Sequence, residues 1–168
     1  MQSVEPPSPE AAPPLVLAHA IGSAEFYWAV VAELSLVAFT VLLLLAPRWG
    51  RGSDVPFYRL FVLGAALLAS LITLIGKLLE VWPGHPLFPS GHTAYALTIA
   101  AFLVTRDRRW LRVVAPLVGL LAVALVLAHY HPPVDIAGGA AVSLAVFAVV
   151  SGGWRAWAAR RMGASLRA

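Results

Sequence analysis

Five long apolar stretches constrain what this chain can fold into. They occupy positions 26–46, 57–79, 90–105, 111–129 and 134–157. A helix needs about 20 apolar residues to cross the hydrocarbon core of a bilayer, and all but the third stretch approach or exceed that length. Of the 168 residues, 60% are hydrophobic and only 12% are charged, which is more apolar than a soluble domain. We therefore predict an all-α, polytopic transmembrane helical bundle with about five membrane-spanning helices.

The same stretches divide the chain into three parts. Residues 1–25 are rich in proline and small side chains and contain no Lys or Arg. Because this segment lacks the basic start of a signal peptide, we interpret it as a flexible or interfacial N-terminal tail. Residues 26–158 form the predicted bundle, and residues 159–168 form a basic cytoplasmic tail. The chain has no cysteine, which excludes disulfides and thiolate chemistry.

The basic residues predict how the bundle is oriented, because Lys and Arg concentrate in cytoplasmic loops. Eleven of the 12 cations fall in connections that five crossings place on one face, and they form no aromatic-interleaved stripe of the kind that binds nucleic acid. Lys77 and all five histidines fall on the opposite face. We expect an integral protein of the bacterial inner membrane whose N-terminus and functional site face the periplasm or exterior. A lone cation at the end of an apolar helix indicates a functional site, although a snorkelling lysine is the alternative.

A first motif, Pro89-Ser90-Gly91-His92, lies at the start of the third apolar stretch. Ser is a favoured N-cap residue, and Gly allows a ligand to approach the backbone closely. The amides of the following turn then point outward at the positive end of the helix dipole, where anions bind. We expect His92 to stand on that first turn beside a bound anion. An ordinary helix cap is the alternative interpretation.

A second motif, His131-Pro132-Pro133-Val134-Asp135, precedes the last stretch. Proline suits the first positions of a helix, where no amide donor is needed, so His131 is predicted at the junction with Asp135 about one turn later. That spacing lets the carboxylate reach one imidazole nitrogen and leave the other as a base or nucleophile. The alternative is an interfacial histidine, with Asp135 as an N-terminal helix charge.

Two features inside the apolar helices also enter the predictions. Glu33 lies within the first helix, where a carboxylate either pairs across the bundle or is protonated, and a structural role is the more common one. Gly138 and Gly139 lie in the last helix. Small residues of this kind allow two membrane helices to approach closely.

At these residues the chain resembles the type-2 phosphatidic acid phosphatase superfamily. That signature runs from a lysine with a following arginine-proline, through Pro-Ser-Gly-His, to a serine-arginine pair followed by a histidine and, four positions later, an aspartate. Lys77, the segment 89–92, and His131 with Asp135 match it in order. The resemblance covers residues 57–150, and it implies a membrane-embedded helical fold.

The chain departs from the signature at both arginines. Gly84 and His85 stand where the first arginine is expected, and Ala124 and Leu125 stand in place of the serine-arginine pair. Charge-assisted hydrogen bonds from arginine to phosphate are worth roughly 1.5–3 kcal/mol each. The absence of both arginines should therefore weaken phosphate binding or alter its geometry. His85 and His129 are the expected substitutes, because a protonated imidazole can donate to a phosphate oxygen. Both could instead be ordinary interfacial histidines.

The resemblance implies a phosphohydrolase that needs neither metal nor cofactor and works through a phosphohistidine. It implies His131 as the nucleophile, Asp135 as the partner that stabilises the imidazolium, and His92 as the acid for the leaving oxygen. The implied substrate-binding residues are Lys77, Ser90, Gly91, His85 and His129. The expected partner is a lipid phosphate from the bilayer: a polyprenyl phosphate or diphosphate, a phosphatidyl lipid or a lipid A type headgroup.

The sequence leaves two other functions open. The residues His85, His92, His129, His131, Asp135 and Glu80 are of metal-ligand types and are assigned to one face, so a metal-dependent hydrolase or transporter is possible. A catalytically silent protein that binds lipid phosphate or another protein is the second.

Overall fold

A computed structural model describes residues 22–46, 55–82 and 86–165. Side chains are described for residues 22–46, 57–82 and 86–154. The described residues form five α-helices and one 3-10 turn, Arg108–Trp110, and no strand. The helices are α1 (Ala24–Leu45), α2 (Val55–Leu78), α3 (Gly91–Arg106), α4 (Leu111–Leu127) and α5 (Pro133–Ser165). Four segments are long and apolar enough to cross a membrane: Ala24–Leu45, Phe57–Leu78, Arg108–Leu127 and Pro133–Trp154. The predicted all-α membrane bundle is confirmed.

The predicted boundaries differ from the structure mainly at the two ends of the chain. Most of the N-terminal tail, residues 1–21, lies outside the described residues, and α1 begins at Ala24. At the other end, α5 continues to Ser165, so the first part of the segment predicted as a tail is helical. Apolarity alone does not mark this end, because a helix can leave the bilayer without breaking.

The shortest helix, α3, occupies the centre of the bundle and packs against α1, α2 and α5. Its 16 residues correspond to a length of about 24 Å, against about 30 Å for the hydrocarbon core. It nevertheless runs antiparallel to most of α2. At one end the Ser70 hydroxyl donates to the Gly91 carbonyl, and at the other the Arg106 guanidinium lies 4.7 Å from the centre of the Tyr58 ring.

Close contact between α3 and α5 depends on two glycines. A Cβ atom added to Gly138 would overlap the Phe88 ring, and one added to Gly139 would overlap the Ser90 carbonyl oxygen and crowd the Thr93 side chain. The predicted role of these glycines in helix packing is confirmed. Their absent side chains let the second turn of α5 pack against Phe88, Pro89 and the first turn of α3, which brings the two sequence motifs together.

Helices α2 and α4 end in the same way, at the end of the bundle where the motifs lie. Each ends in a Schellman turn whose C′ residue is left-handed: Glu80, with φ 48°, and His129, with φ 55°. After α4, the Tyr130 amide donates to the Leu125 carbonyl at 3.0 Å, as this motif requires. The turn carries the chain directly back over the end of α4 and fixes where His131 stands.

Candidate active site

A cavity of about 620 Å³ lies at the motif end of the bundle. It is bounded by α1, α2, the first turn of α3 and the connection between α4 and α5. Its polar lining side chains are Glu33, Ser70, Thr73, Lys77, His92, Tyr95, Tyr130 and His131. The rest of the wall is largely leucine, so the cavity combines a polar end with an apolar flank. Arg59 and Arg106 contact the opposite end of the bundle.

The first turn of α3 forms one wall of the cavity. Ser90 is the N-cap, as predicted, and its hydroxyl oxygen accepts a hydrogen bond from the Thr93 amide at 3.4 Å. The Ser90 amide donates to the Asp135 carbonyl at 2.9 Å, and Ser90 is fully buried. Gly91 and His92 line the cavity, but Ser90 does not. The structure therefore gives Ser90 the task of joining the two motifs rather than a place on the cavity wall.

His131 and Asp135 form a buried pair, which confirms the geometry predicted from their spacing. The His131 Nδ1 atom lies 3.0 Å from Asp135 Oδ2, and the two residues are 6% and 2% exposed. Because a carboxylate only accepts hydrogen bonds, the proton between them belongs to Nδ1. Nε2 is then the unprotonated nitrogen of the neutral ring, and it is the nitrogen available to a molecule in the cavity.

The surroundings of His131 favour that neutral ring. Burial lowers the pKa of His131 below its ordinary value, and the charge of Lys77 acts in the same direction. The hydrogen bond to Asp135 raises the pKa and offsets only part of this effect. A histidine held neutral and in one tautomer has the properties required of a nitrogen nucleophile.

His92 lies opposite His131 across part of the cavity and is paired with a residue from α1. The two imidazole centres are 6.3 Å apart, and His92 Nε2 lies 3.0 Å from Glu33 Oε1. Sequence reasoning favoured a structural role for Glu33. The available signal was a carboxylate inside an apolar helix, but nothing in the sequence named His92 as its partner.

Lys77 completes the polar part of the cavity. It lies on the last turn of α2, half-buried and on the cavity wall. Among the residues that the structure describes, no hydrogen-bond or ion-pair partner lies within reach of its ammonium group. The structure therefore brings Lys77, Gly91, His92 and His131 to one cavity, with Asp135 directly behind His131.

Two other predicted substrate-binding residues, Ser90 and His129, do not line the cavity. His129 is exposed, and its Nε2 atom lies 3.9 Å from Glu25 Oε1, because the left-handed turn at the end of α4 directs it away from the cavity. His85 lies outside the described residues. No three His, Asp or Glu side chains in the described parts of the chain are close enough to hold one metal ion.

Comparison with known proteins found no matching family model, no matching curated protein and no matching solved structure. The chemistry of the site is therefore argued from its own atoms. These are a nitrogen held neutral and backed by a carboxylate, a second imidazole facing it, and a lysine with the first amides of a helix beside them. Such a set can bind an oxyanion, form a covalent bond to its central atom and transfer a proton to or from it.

Proposed function

We propose that the protein is a membrane phosphatase that hydrolyses a lipid phosphate through a phosphohistidine, as its resemblance to the type-2 phosphatidic acid phosphatases implies. One observation carries the proposal: Lys77, His92 and the His131–Asp135 pair, which are separated widely in sequence, meet at a single cavity. Each part of the resemblance thus contributes a side chain to the same place, as a shared catalytic task requires.

The reaction begins with attack by His131 Nε2 on phosphorus. An N–P bond forms while the bond from phosphorus to the ester oxygen breaks, and the electron pair of that bond stays on the leaving oxygen. His92 supplies the proton that converts this oxygen to an alcohol. Water then attacks phosphorus, gives a proton back to His92 and returns the N–P electron pair to Nε2. The net reaction converts a phosphate ester and water into an alcohol and inorganic phosphate.

The remaining groups stabilise charge during both steps. Asp135 stabilises the positive charge that develops on His131 when its Nε2 atom bonds to phosphorus. The Lys77 ammonium and the amides of Gly91 and His92 bind the non-bridging oxygens. Among the described residues, neither of these two amides has a hydrogen-bond partner. The Ser90 hydroxyl accepts from the Thr93 amide instead. No arginine lies among the described residues of the cavity wall, so this amide pair contributes more of the phosphate binding than it would in proteins with the full signature.

The apolar flank of the cavity supports a lipid as the substrate. Leu36 on α1 and Leu67 and Leu74 on α2 line it, and these two helices contact each other little. A hydrocarbon chain can therefore extend from the cavity between α1 and α2 into the bilayer. We propose that the site faces the periplasm or exterior from the bacterial inner membrane, because Arg59 and Arg106, which the structure describes, lie at the other end of the bundle. Polyprenyl, phosphatidyl and lipid A type phosphates all fit this description.

The proposal is tested with the full-length protein purified in detergent. Phosphate release is measured from a panel of lipid phosphates with chelator present. Vanadate should inhibit it, because vanadate adopts the five-coordinate geometry that phosphorus has in the transition state. We expect His131→Ala to abolish turnover and to abolish the acid-labile label that [³²P]phosphate ester leaves on the wild type. His131→Gln, which retains a polar side chain, should be equally inactive while melting closer to the wild type.

Three outcomes would contradict this function. Release that requires a divalent metal would favour the metal-dependent hydrolase. Binding of lipid phosphate without any release would favour the catalytically silent protein. Turnover that survives in both His131 variants would show that another group attacks phosphorus.

A further inference from the structure

Glu33 places a negative charge at one side of a cavity that otherwise suits an anion. Its carboxylate accepts a hydrogen bond from His92 Nε2, and its charge also reaches Tyr130, where burial and then Glu33 raise the phenol pKa. Lys77 instead acts on the His131–Asp135 pair. The polar wall therefore has a cationic side at the proposed nucleophile and an anionic side beyond the proposed acid.

The in-line geometry of phosphoryl transfer assigns these two sides to different parts of the substrate. The attacking atom and the leaving oxygen lie on opposite sides of phosphorus. The two imidazole centres are 6.3 Å apart, so a phosphoryl group bound at His131 also lies near His92. The transferred phosphoryl group then lies beside Lys77 and His131, while the leaving group lies beside His92 and faces Glu33.

We propose that Glu33, paired with His92, makes the enzyme selective for lipid phosphate monoesters of aliphatic alcohols over lipid diphosphates. The inference rests on the phosphatase function proposed above, and it settles a choice that the sequence leaves open. Glu33 acts through His92 and on the leaving group, so it is a positioning and specificity residue.

The two leaving groups differ in basicity and in negative charge, and Glu33 affects the reaction through both properties. An aliphatic alkoxide is strongly basic, so it must be protonated as the bond to phosphorus breaks, and the Glu33 carboxylate stabilises the imidazolium that supplies this proton. In that step His92 keeps its Nε2 proton on Glu33 and transfers the Nδ1 proton. A diphosphate instead expels a phosphate monoester, which needs little protonation and carries negative charge toward the Glu33 carboxylate.

The test compares dodecyl phosphate and dodecyl diphosphate, which share one chain and differ only in the group expelled. The first product of each is measured by chromatography for the wild type and for Glu33→Gln, which keeps a hydrogen-bond acceptor but has no charge. Glu25→Gln is the matched control. It removes a carboxylate from the same helix, but Glu25 does not line the cavity.

We expect wild-type kcat/KM to be at least about tenfold higher for the monophosphate, since a positioned acid contributes about 10²–10⁴-fold. Glu33→Gln should lower the monophosphate value by about tenfold or more and leave the diphosphate value unchanged or raised. Glu25→Gln should keep the wild-type ratio.

Wild-type activity with a ratio that Glu33→Gln does not alter would overturn this inference and leave the phosphatase proposal intact. A fall of equal size for both substrates would do the same, because it would show that Glu33 only supports the fold. A wild type that releases phosphate from neither substrate overturns the phosphatase proposal itself, and this inference with it.

Discussion

Replacing Gly139 by alanine should damage both the stability of the bundle and its activity. A Cβ atom at this position would overlap the Ser90 carbonyl oxygen and approach the Thr93 side chain. The Ser90 carbonyl also accepts the Ala94 amide at 3.1 Å in the first turn of α3. Because the obstructing atom belongs to the backbone, no side-chain rotation can relieve the overlap, and α3 must move away from α5.

The magnitude follows from two opposing effects. Overpacking of a close contact costs about 1–3 kcal/mol, and a backbone obstruction belongs at the upper end of that range. Alanine is favoured over glycine within a helix by about 0.5–1 kcal/mol, which offsets part of the loss. The free energy of unfolding should therefore fall by about 1–2 kcal/mol. His92 moves with the first turn of α3, and a displacement of about 1 Å at a catalytic group can cost about 100-fold in rate.

Gly152→Ala is the matched control, because Gly152 lies in the same helix and a Cβ atom there meets no other atom within 4 Å. Thermal unfolding in detergent, followed by tryptophan fluorescence, should show Gly139→Ala melting below the wild type and Gly152→Ala melting at or above it. Phosphate release should fall about 10- to 100-fold only in Gly139→Ala. A Gly139→Ala variant that melts with the wild type and retains its rate would refute the packing argument.

Three further predictions concern individual side chains of the site. Because burial lowers the pKa of His131, kcat/KM should fall with acidification only below the ordinary histidine value of about 6.5. The contribution of neutral His131 to the free energy of unfolding should be fully present above that pH and lost as the pH falls through its folded-state pKa. Unfolding measured across pH 4–8 checks this. Lys77→Met should lower kcat/KM about 10- to 100-fold, the loss of one charge-assisted phosphate contact, while Lys77→Arg retains more activity in the same phosphate-release assay. Ser90→Ala should destabilise the protein by about 1 kcal/mol in detergent unfolding, because it removes an N-cap.

Features that depend on neighbouring residues could be predicted from the sequence. The apolar lengths predicted the helices, the preference of serine for N-caps predicted the start of α3, and the four-residue spacing predicted the His131–Asp135 pair. Each of these depends on one helix or one turn, whose geometry is nearly constant among proteins. The two glycines of α5 were predicted as packing residues from their small size, although the sequence did not say which segment they contact.

Features that depend on tertiary structure could not be predicted in the same way. The Glu33–His92 pair joins residues 59 positions apart, and the sequence indicates only that a carboxylate within an apolar helix needs a partner. His129 is the reverse case: its nearness to His131 in sequence suggested a shared role, but it does not line the cavity. A left-handed turn without glycine separates the two side chains, and such a turn has no strong sequence signal.

The position of α3 explains why the two classes of variant proposed here should behave differently. Its first turn is tied to α5 through the Ser90–Asp135 hydrogen bond and the Gly139 contact, so the nucleophile and the phosphate-binding amides are held by the same contact that packs the bundle. Changes on this side should reduce stability and rate together. Glu33 reaches His92 from α1 across an open cavity, and its side chain is 59% exposed. Its replacement should alter the choice of leaving group while the bundle melts as before.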